Sequence, residues 1–401
     1  MRVLFVSSLC STPLLPHGSP GNARIMRAIR ALTPCRMIIP VHYYPSVLGR
    51  WSPKVRKAAG VPSVEIDPEG TELLHPRTLH IPSVSVGRTV AGALYAASLL
   101  PLVRREIESF KPDVRLSAFG YPDGTATVAL GSLLGKPTVV RTMGGDIHQA
   151  ARGLTRRVQI SWALKRAGKT IAVSPAMGRE IQELGVPADQ IAVIPTGVDR
   201  AMFHPVDRAE ARAALSLSMD DHVLVAPARL SSEKGLNFLL DALPQVRSPK
   251  TVRLLLVGEG AQRAELEAQV GRLGLTERVR FEGWQPEARM RIYFGAADLV
   301  CVPSLEEGWP DVLMESFACG CPVVVSRVGG MPDIVALTGA GILTEPGNPE
   351  GLAEALTEGL ARSWSRDETA RIMERHTLAQ TAERYLGACN EAVARFRTGK
   401  Q

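Results

Sequence analysis

The chain has 401 residues, 45% of them hydrophobic and 22% charged, with a formal net charge of +7. That is room for two domains of ordinary size, with the composition of a soluble globular protein and not of a membrane-spanning or disordered one. The charge is uneven: residues 1–200 hold 25 Lys and Arg against 13 Asp and Glu, a net +12, and residues 201–401 hold 22 against 27, a net −5.

A basic first half reads either as the footprint of a polyanionic partner, be it anionic lipid, a phosphorylated acceptor or nucleic acid, or as a solvated surface with a basic bias. The six Cys are scattered, as in a reducing cytosol. Only Cys319-Gly-Cys321 is close, and it lacks a second pair or a nearby His at metal-ligand spacing. It reads as small residues in a helix-to-strand turn. No signal peptide is evident, since residues 2–9 form one strand-length apolar run. The longest uncharged apolar run, Val90–Val103, has 14 residues, too few to span a bilayer. It reads as a buried helix, with an interfacial one as the alternative.

In chain order, strand-like runs fall at Val3–Ser7, Arg36–Val41, Asp113–Ser117, Thr138–Arg141, Thr170–Val173 and Ile191–Pro195. Helical patterns lie between several of them, at Asn22–Leu32, Ala91–Phe110 and Gly178–Leu184. Strands that are apolar throughout, separated by helices, predict a parallel sheet covered on both faces. The linking stretch IPTGVDRAMFHPVD (194–207) is broken by Pro and Gly.

The second half repeats the pattern. Strands are expected at 222–228, 252–258, 278–283, 298–304 and 322–326, the last closing the sheet. Helices are expected at Gly235–Leu243, Ala261–Leu273, Ala288–Ala296 and Asp311–Ala318. This predicts a second doubly wound domain. The tail from Thr377 to Arg397 is helical with few breakers. The expected division is 1–200, 201–376 and a terminal helix in 377–401. Two such domains would present the C-terminal ends of both sheets to one central cleft, where open α/β sheets bind ligands.

Chemistry gathers in the loops after the second-domain strands. ARLSSEKG puts Arg229 and Lys234 on a strand-to-helix loop beside a helix start, which suits an anion. VGEGAQR has Gly258 and Gly260, but Arg263 stands at the third glycine position of a dinucleotide fingerprint, so a nicotinamide enzyme is disfavoured. PSLEEGWPDVLMESFACGCP (303–322) holds Glu307 and Gly308 before a turn and Glu315 inside the next helix. Pro310 fits that helix's first turn, so the N–H groups of Asp311 and Val312 are expected to receive phosphate oxygens. Carboxylates on either side suit the hydroxyls of a sugar and a ribose. Two Glu at that spacing are common on surfaces; their membership of one loop-helix unit is what singles them out.

Residues 171–345 resemble the retaining glycosyltransferases of family 4, which have the two-domain GT-B fold. The resemblance rests on VSPAMGREIQELGVPADQIAVIPTGVDRAMFHP, ARLSSEKGLNFLLDAL, LLLVGEG and PSLEEGWPDVLMESFACGCPVVVSRVGGMPDIV, and runs from about residue 170 to 365. It implies that Arg229 and Lys234 bind the donor diphosphate, Glu307 contacts the transferred sugar, and Glu315 accepts from the ribose. It also implies that Trp284 and Gln285 lie near the base, and that the terminal helix crosses back to the first domain. In the first half, PHGSPGNARIMRAI (16–29) resembles the family's glycine loop under the donor phosphate, with Gly18 and Gly21 as candidates. VVRTMGGDIH (139–148) stands where many relatives have His-Gly-x-Asp; Met143 takes the place of the His, while Gly144 and Asp146 remain. Asp146 or His148 is the candidate to compensate. HYYPSVLGRWSPKVRKAAG (42–60) mixes aromatics with Lys and Arg and reads as an acceptor-side segment near a membrane surface, or as a solvated loop.

The sequence contains no Asp-x-Asp. With Arg229, Lys234 and helix N–H groups available for a leaving diphosphate, neither metal nor cofactor is expected. The expectation is a retaining, nucleotide-sugar-dependent transferase, using UDP- or GDP-sugar, in surface polysaccharide or glycolipid synthesis. The expected acceptor is a glycan or lipid-linked one. The expected location is the cytoplasm, with peripheral association to an anionic membrane surface, and no nucleic acid partner. The rivals are a sugar-nucleotide epimerase or hydrolase on the same architecture, and a basic polyanion-binding module without catalysis.

Overall fold

A computed structural model of the chain describes residues 1–15, 19–43, 60–79, 86–148 and 153–399. The chain forms two compact units, one of Met1–Pro195 with Leu378–Gln401 and the other of Thr196–Thr377.

The first unit is built on β1 (Val3–Val6), β2 (Cys35–Ile38), β3 (Val41–Tyr43), β4 (Val64–Ile66), β5 (Glu72–Leu74), β6 (Arg77–Leu79), β7 (Val114–Ala118), β8 (Thr138–Arg141), β9 (Lys169–Ala172) and β10 (Ile191–Val193). Eight of these form one sheet in the order β10-β9-β8-β7-β1-β2-β5-β4, and β3 pairs with β6 apart from it. All neighbours in the large sheet are parallel except β4 and β5. The run expected as a single strand at Arg36–Val41 is divided between β2 and β3. Pro40 between them has no N–H to give a ladder.

Alternate residues of β1 face opposite layers, as a pleated strand dictates. Val3 and Phe5 pack with Ile25 and Ile29 of the helix Pro20–Leu32. Tyr385, Cys389 and Ala392 of the terminal helix Leu378–Arg397 join the same cluster. Leu4 and Val6 face Leu99, Val103 and Leu130 on the other side. The apolar run at Val90–Val103 therefore lies in a core helix, Val86–Ser109, although Pro101 stands within it. Among the described residues, no helix is long and apolar enough to cross a membrane.

The second unit holds β11 (His222–Pro227), β12 (Val252–Val257), β13 (Val279–Gly283), β14 (Leu299–Val302), β15 (Val323–Ser326) and β16 (Gly341–Thr344). Their order is β13-β12-β11-β14-β15-β16, all parallel. The strand expected to close this sheet, β15, is not its edge. β16 pairs beyond it, with only Ile342 and Leu343 to mark it in the sequence.

This strand order reverses between β11 and β14. Loops leaving the C-terminal ends of neighbouring strands diverge there, which opens a crevice in a doubly wound sheet.

Candidate functional site

At this reversal two loops lie side by side. The first leaves β11 as Ala228–Ser231, makes a tight turn at Ser232–Lys234, and enters the helix Leu236–Ala242. Gly235 joins turn to helix at φ +63°, and a Cβ there would stand 2.2 Å from the carbonyl oxygen of Pro303. Only glycine allows both the backbone conformation and the approach. The second loop leaves β14 through Pro303–Pro310, and its Leu305 N–H donates to the carbonyl of Glu233 at 2.8 Å.

Two of the candidate side chains meet across this backbone contact. Lys234 Nζ donates to Glu307 Oε1 at 2.6 Å, and the buried Ser304 hydroxyl donates to the same oxygen at 2.9 Å. Lys234 and Glu307 are partly buried, with side chains 22% and 12% exposed, so solvent screens their pair incompletely. Arg229 is 69% exposed and donates to Glu233 Oε1 at 2.7 Å, an oxygen that also accepts from Ser231 Oγ. Burial pushes the Glu233 carboxyl up, but hydrogen bonds from Ser231, its own N–H and Arg229 outweigh it and hold the group below its ordinary range.

Further glycines fix the rest of this edge. At Gly258 a Cβ would meet Ala228 O at 2.0 Å, and at Gly260 it would meet Leu230 O at 2.2 Å. The Gly-x-Gly after β12 is thus a packing device against the cationic loop. Gly329, at φ +53°, would place a Cβ 1.8 Å from Glu307 O, and Gly330 N–H donates to Gly308 O at 2.9 Å. The double glycine after β15 therefore carries the Glu307–Gly308 segment on its backbone. Trp309 is buried and donates through Nε1 to Thr196 O at 3.0 Å.

The helix Asp311–Ala318 follows directly. Pro310 precedes it and no side chain caps it. Asp311 and Val312 are half-buried at its start, and Glu315, 9% exposed, lies one turn further in. Gln285 follows β13, at the sheet edge, and its Nε2 turns back to Glu282 O at 2.7 Å. Trp284 beside it is 61% exposed.

In the first unit, Gly21 is buried in the first turn of the helix Pro20–Leu32, and Gly18 lies outside the described residues. Asp146 lies in the short helix Gly145–His148. It is wholly buried, with Oδ2 accepting from Gly120 N at 2.6 Å and Oδ1 from Met143 N at 3.0 Å and Gly144 N at 2.9 Å. Burial pushes its carboxyl up against the lowering effect of those N–H groups. A carboxylate so occupied ties together the loops after β7 and β8. His148 ends the short helix Gly145–His148; its side chain lies outside what is described, as do residues 44–59 of the aromatic and basic segment.

The reversal in the first sheet lies between β1 and β7, and it contains a group that sequence reasoning missed. Asp123 is fully buried, its Oδ2 accepting from Ser8 N at 2.7 Å and Ser8 Oγ at 3.0 Å. Its Oδ1 is buried without a hydrogen-bond partner among the described residues. Burial pushes this carboxyl up to about 7, with Ser8 lowering it and Asp146 raising it further.

Two family models match the chain in succession. "Glycosyltransferase Family 4" matches residues 38–201 and "Glycosyl transferases group 1" matches residues 207–376. The chain belongs to glycosyltransferase family 4.

Curated relatives of this family 4 chain include a D-inositol 3-phosphate glycosyltransferase of Segniliparus rotundus, 39% identical over 43% of this chain and 40% of its own length. Another of the same name, from Acidothermus cellulolyticus, is 32% identical over 63% of this chain and 59% of its own. The chain thus spans about half the length of the curated relatives it matches. Among solved structures, sucrose-phosphate synthase from Thermosynechococcus elongatus superposes with a TM-score of 0.77 at 21% identity, over 98% of this chain and all of that one. Anabaena HepE in complex with UDP gives 0.71 at 22% identity, over 96% of this chain and 99% of that one. At these identities the likeness is one of fold, and the fold is GT-B, with two Rossmann-like domains.

Within the family 4 chain, Arg229, Lys234, Glu307 and Gly308 are gathered on two adjoining loops, with Asp311, Val312 and Glu315 on the helix that continues the second loop. Gln285 belongs to a separate loop two strands away from β11. Ser304, which holds Glu307, was not singled out from the sequence; its only signal was a hydroxyl immediately after an apolar strand run.

Proposed function

We propose that this chain is a retaining glycosyltransferase that takes a hexose-type sugar from a nucleoside diphosphate and passes it to an acceptor hydroxyl. The observation that carries the reading is the Lys234–Glu307 pair, held beside the start of the helix Asp311–Ala318. A cation is thus paired with a carboxylate on the loop that runs into a helix N-terminus. The cation and helix amides suit a diphosphate, and the carboxylate suits sugar hydroxyls. Arg229 adds a planar fork of donors on the same loop. Glu315 is the acceptor for the ribose, and Trp284 with Gln285 borders the base.

In this mechanism the acceptor oxygen attacks the anomeric carbon on the face from which the diphosphate departs. The carbon–oxygen bond to phosphate breaks as the new one forms, through an oxocarbenium-like transition state. The departing phosphate oxygen takes the acceptor proton, so no protein nucleophile is required. Lys234, Arg229 and the amides of Asp311 and Val312 neutralise the charge that develops on the leaving group, in the place of a metal ion. The donor is a UDP- or GDP-sugar; that HepE was crystallised with UDP, with UDP-glucose, and with UDP and glucose supports the uridine form. The acceptor is a glycan or lipid-linked intermediate of a surface polysaccharide or glycolipid. The protein acts in the cytoplasm, peripherally on the inner face of the membrane.

A melting-temperature screen against UDP, GDP, ADP and their sugars, with and without EDTA, tests this. Ligand binding raises the midpoint by mass action. One nucleotide should dominate, and its shift should survive EDTA and shrink in Lys234→Ala. No shift with any nucleotide would defeat the reading. Rearrangement of the donor without acceptor would point to an epimerase instead.

A further inference from the structure

The helix Leu154–Arg166, LTRRVQISWALKR, buries Ile160, Ala163 and Leu164 in the first unit. One apolar face is what a surface helix requires. This helix has a second. Leu154 is 79% exposed, Val158 60% and Trp162 38%. At i, i+4 and i+8 they line up along one side of the helix, roughly 12 Å from end to end. Isolated exposed apolar residues need no explanation, but three large ones in register form a patch.

The charges around the patch are of one sign. Arg157, Lys165 and Arg166 are exposed and Arg156 is half-buried, and the helix contains no Asp or Glu. Lys165 and Arg166 also suit the negative end of the helix dipole, but Arg157 near the start does not. The Arg166 guanidinium lies 5.6 Å from the centre of the Trp162 ring, an aromatic–cation pair at the edge of the patch. An apolar protein surface would fit the stripe and leave the cations unused. An anionic bilayer fits both, with the stripe at the acyl boundary and the cations among the head groups.

We infer that the outer face of Leu154–Arg166 docks the first unit on anionic lipid. The inference deepens the proposed membrane-side role of the transferase, on which its biological sense rests, but docking itself needs no turnover. The experiment is co-sedimentation of the full chain with vesicles of phosphatidylcholine alone or mixed with phosphatidylglycerol. The wild type should bind the mixed vesicles, lose binding as salt rises, and ignore neutral ones. The triple variant Leu154→Gln, Val158→Gln, Trp162→Gln should bind about tenfold more weakly. A second variant, Arg157→Glu, Lys165→Glu, Arg166→Glu, should lose the preference for phosphatidylglycerol.

Equal binding to both vesicle types, or an apolar triple variant that binds like the wild type, would overturn the inference. So would a wild-type dimer that the triple variant abolishes, since a second copy would then cover the stripe. The nucleotide-induced melting shift is measured on the same samples. Its presence without lipid binding sinks the docking face alone, and lipid binding without it sinks the transferase reading alone.

Discussion

Lys234 and Glu307, 73 positions apart in the chain, form a hydrogen-bonded ion pair of 2.6 Å across the loops that leave β11 and β14. Each satisfies the other. On the proposed reading, a diphosphate arriving at Lys234 would have to compete with Glu307, and a sugar hydroxyl arriving at Glu307 would be received by an oxygen already polarised by Lys234.

Replacing one partner should separate binding from turnover. Glu307→Ala releases Lys234, so affinity for the free nucleoside diphosphate is expected to hold or rise while kcat falls by about 100-fold or more. Lys234→Ala leaves Glu307 partly buried without its cation, and should weaken nucleotide binding and cost about 1–3 kcal/mol of stability. Calorimetric titration and single-turnover assays check both. Nucleotide affinity that drops equally in the two variants would contradict the competition.

Gly329→Ala tests the backbone support under Glu307. The added carbon meets a carbonyl oxygen at 1.8 Å and sits at φ +53°, so at least about 2 kcal/mol of destabilisation is expected. Gly271→Ala is the control: it lies in the helix Arg263–Arg272 with no atom within 4 Å of the added Cβ, and should be neutral or slightly stabilising. Urea denaturation of the pair reads the difference, and similar midpoints would show that the loop yields.

Asp123 should make stability fall as pH rises in a defined window. Its carboxyl is raised to about 7 in the folded chain, whereas an unfolded Asp ionises at about 4. Below pH about 4 both states hold the proton. Between about 4 and 7 only the unfolded state releases it, so folding is progressively disfavoured; above about 7 the deficit is constant. Asp123→Asn removes this titration. The gap between wild type and variant should therefore grow across that window, and a gap that stays flat would refute the assignment.

Asp146 is expected to behave as a structural acceptor. Asp146→Ala strands the N–H groups of Gly120, Met143 and Gly144, at about 1–3 kcal/mol for an unsatisfied buried group. The melting temperature should fall, with nucleotide affinity unchanged in whatever folds. A stable variant with unchanged melting and a collapsed kcat would return Asp146 to the reacting centre.

Much of this was legible because the second-unit strands centre on apolar runs such as LLLV (254–257), and because the cationic loop and the acidic loop each follow one. β16 was not, since Gly341-Ile-Leu-Thr has too few apolar residues to stand out. The pairs β3–β6 and β4–β5 are three residues long and carry Arg77, Glu65 and Glu72, so their pattern is weak. The Lys234–Glu307 contact is set by strand order, which no local spacing encodes. Asp123 went unnoticed because burial of a carboxylate is a property of the surrounding elements and not of its own neighbours in sequence.

The glycines that lock the loops after β11, β12, β14 and β15 also decide where this protein can change. Side-chain growth is barred at those glycines, so on the proposed reading new donor preferences would have to arise elsewhere. Trp284, projecting into solvent next to Gln285, is the kind of position where a side chain can vary while the packed backbone beneath stays put.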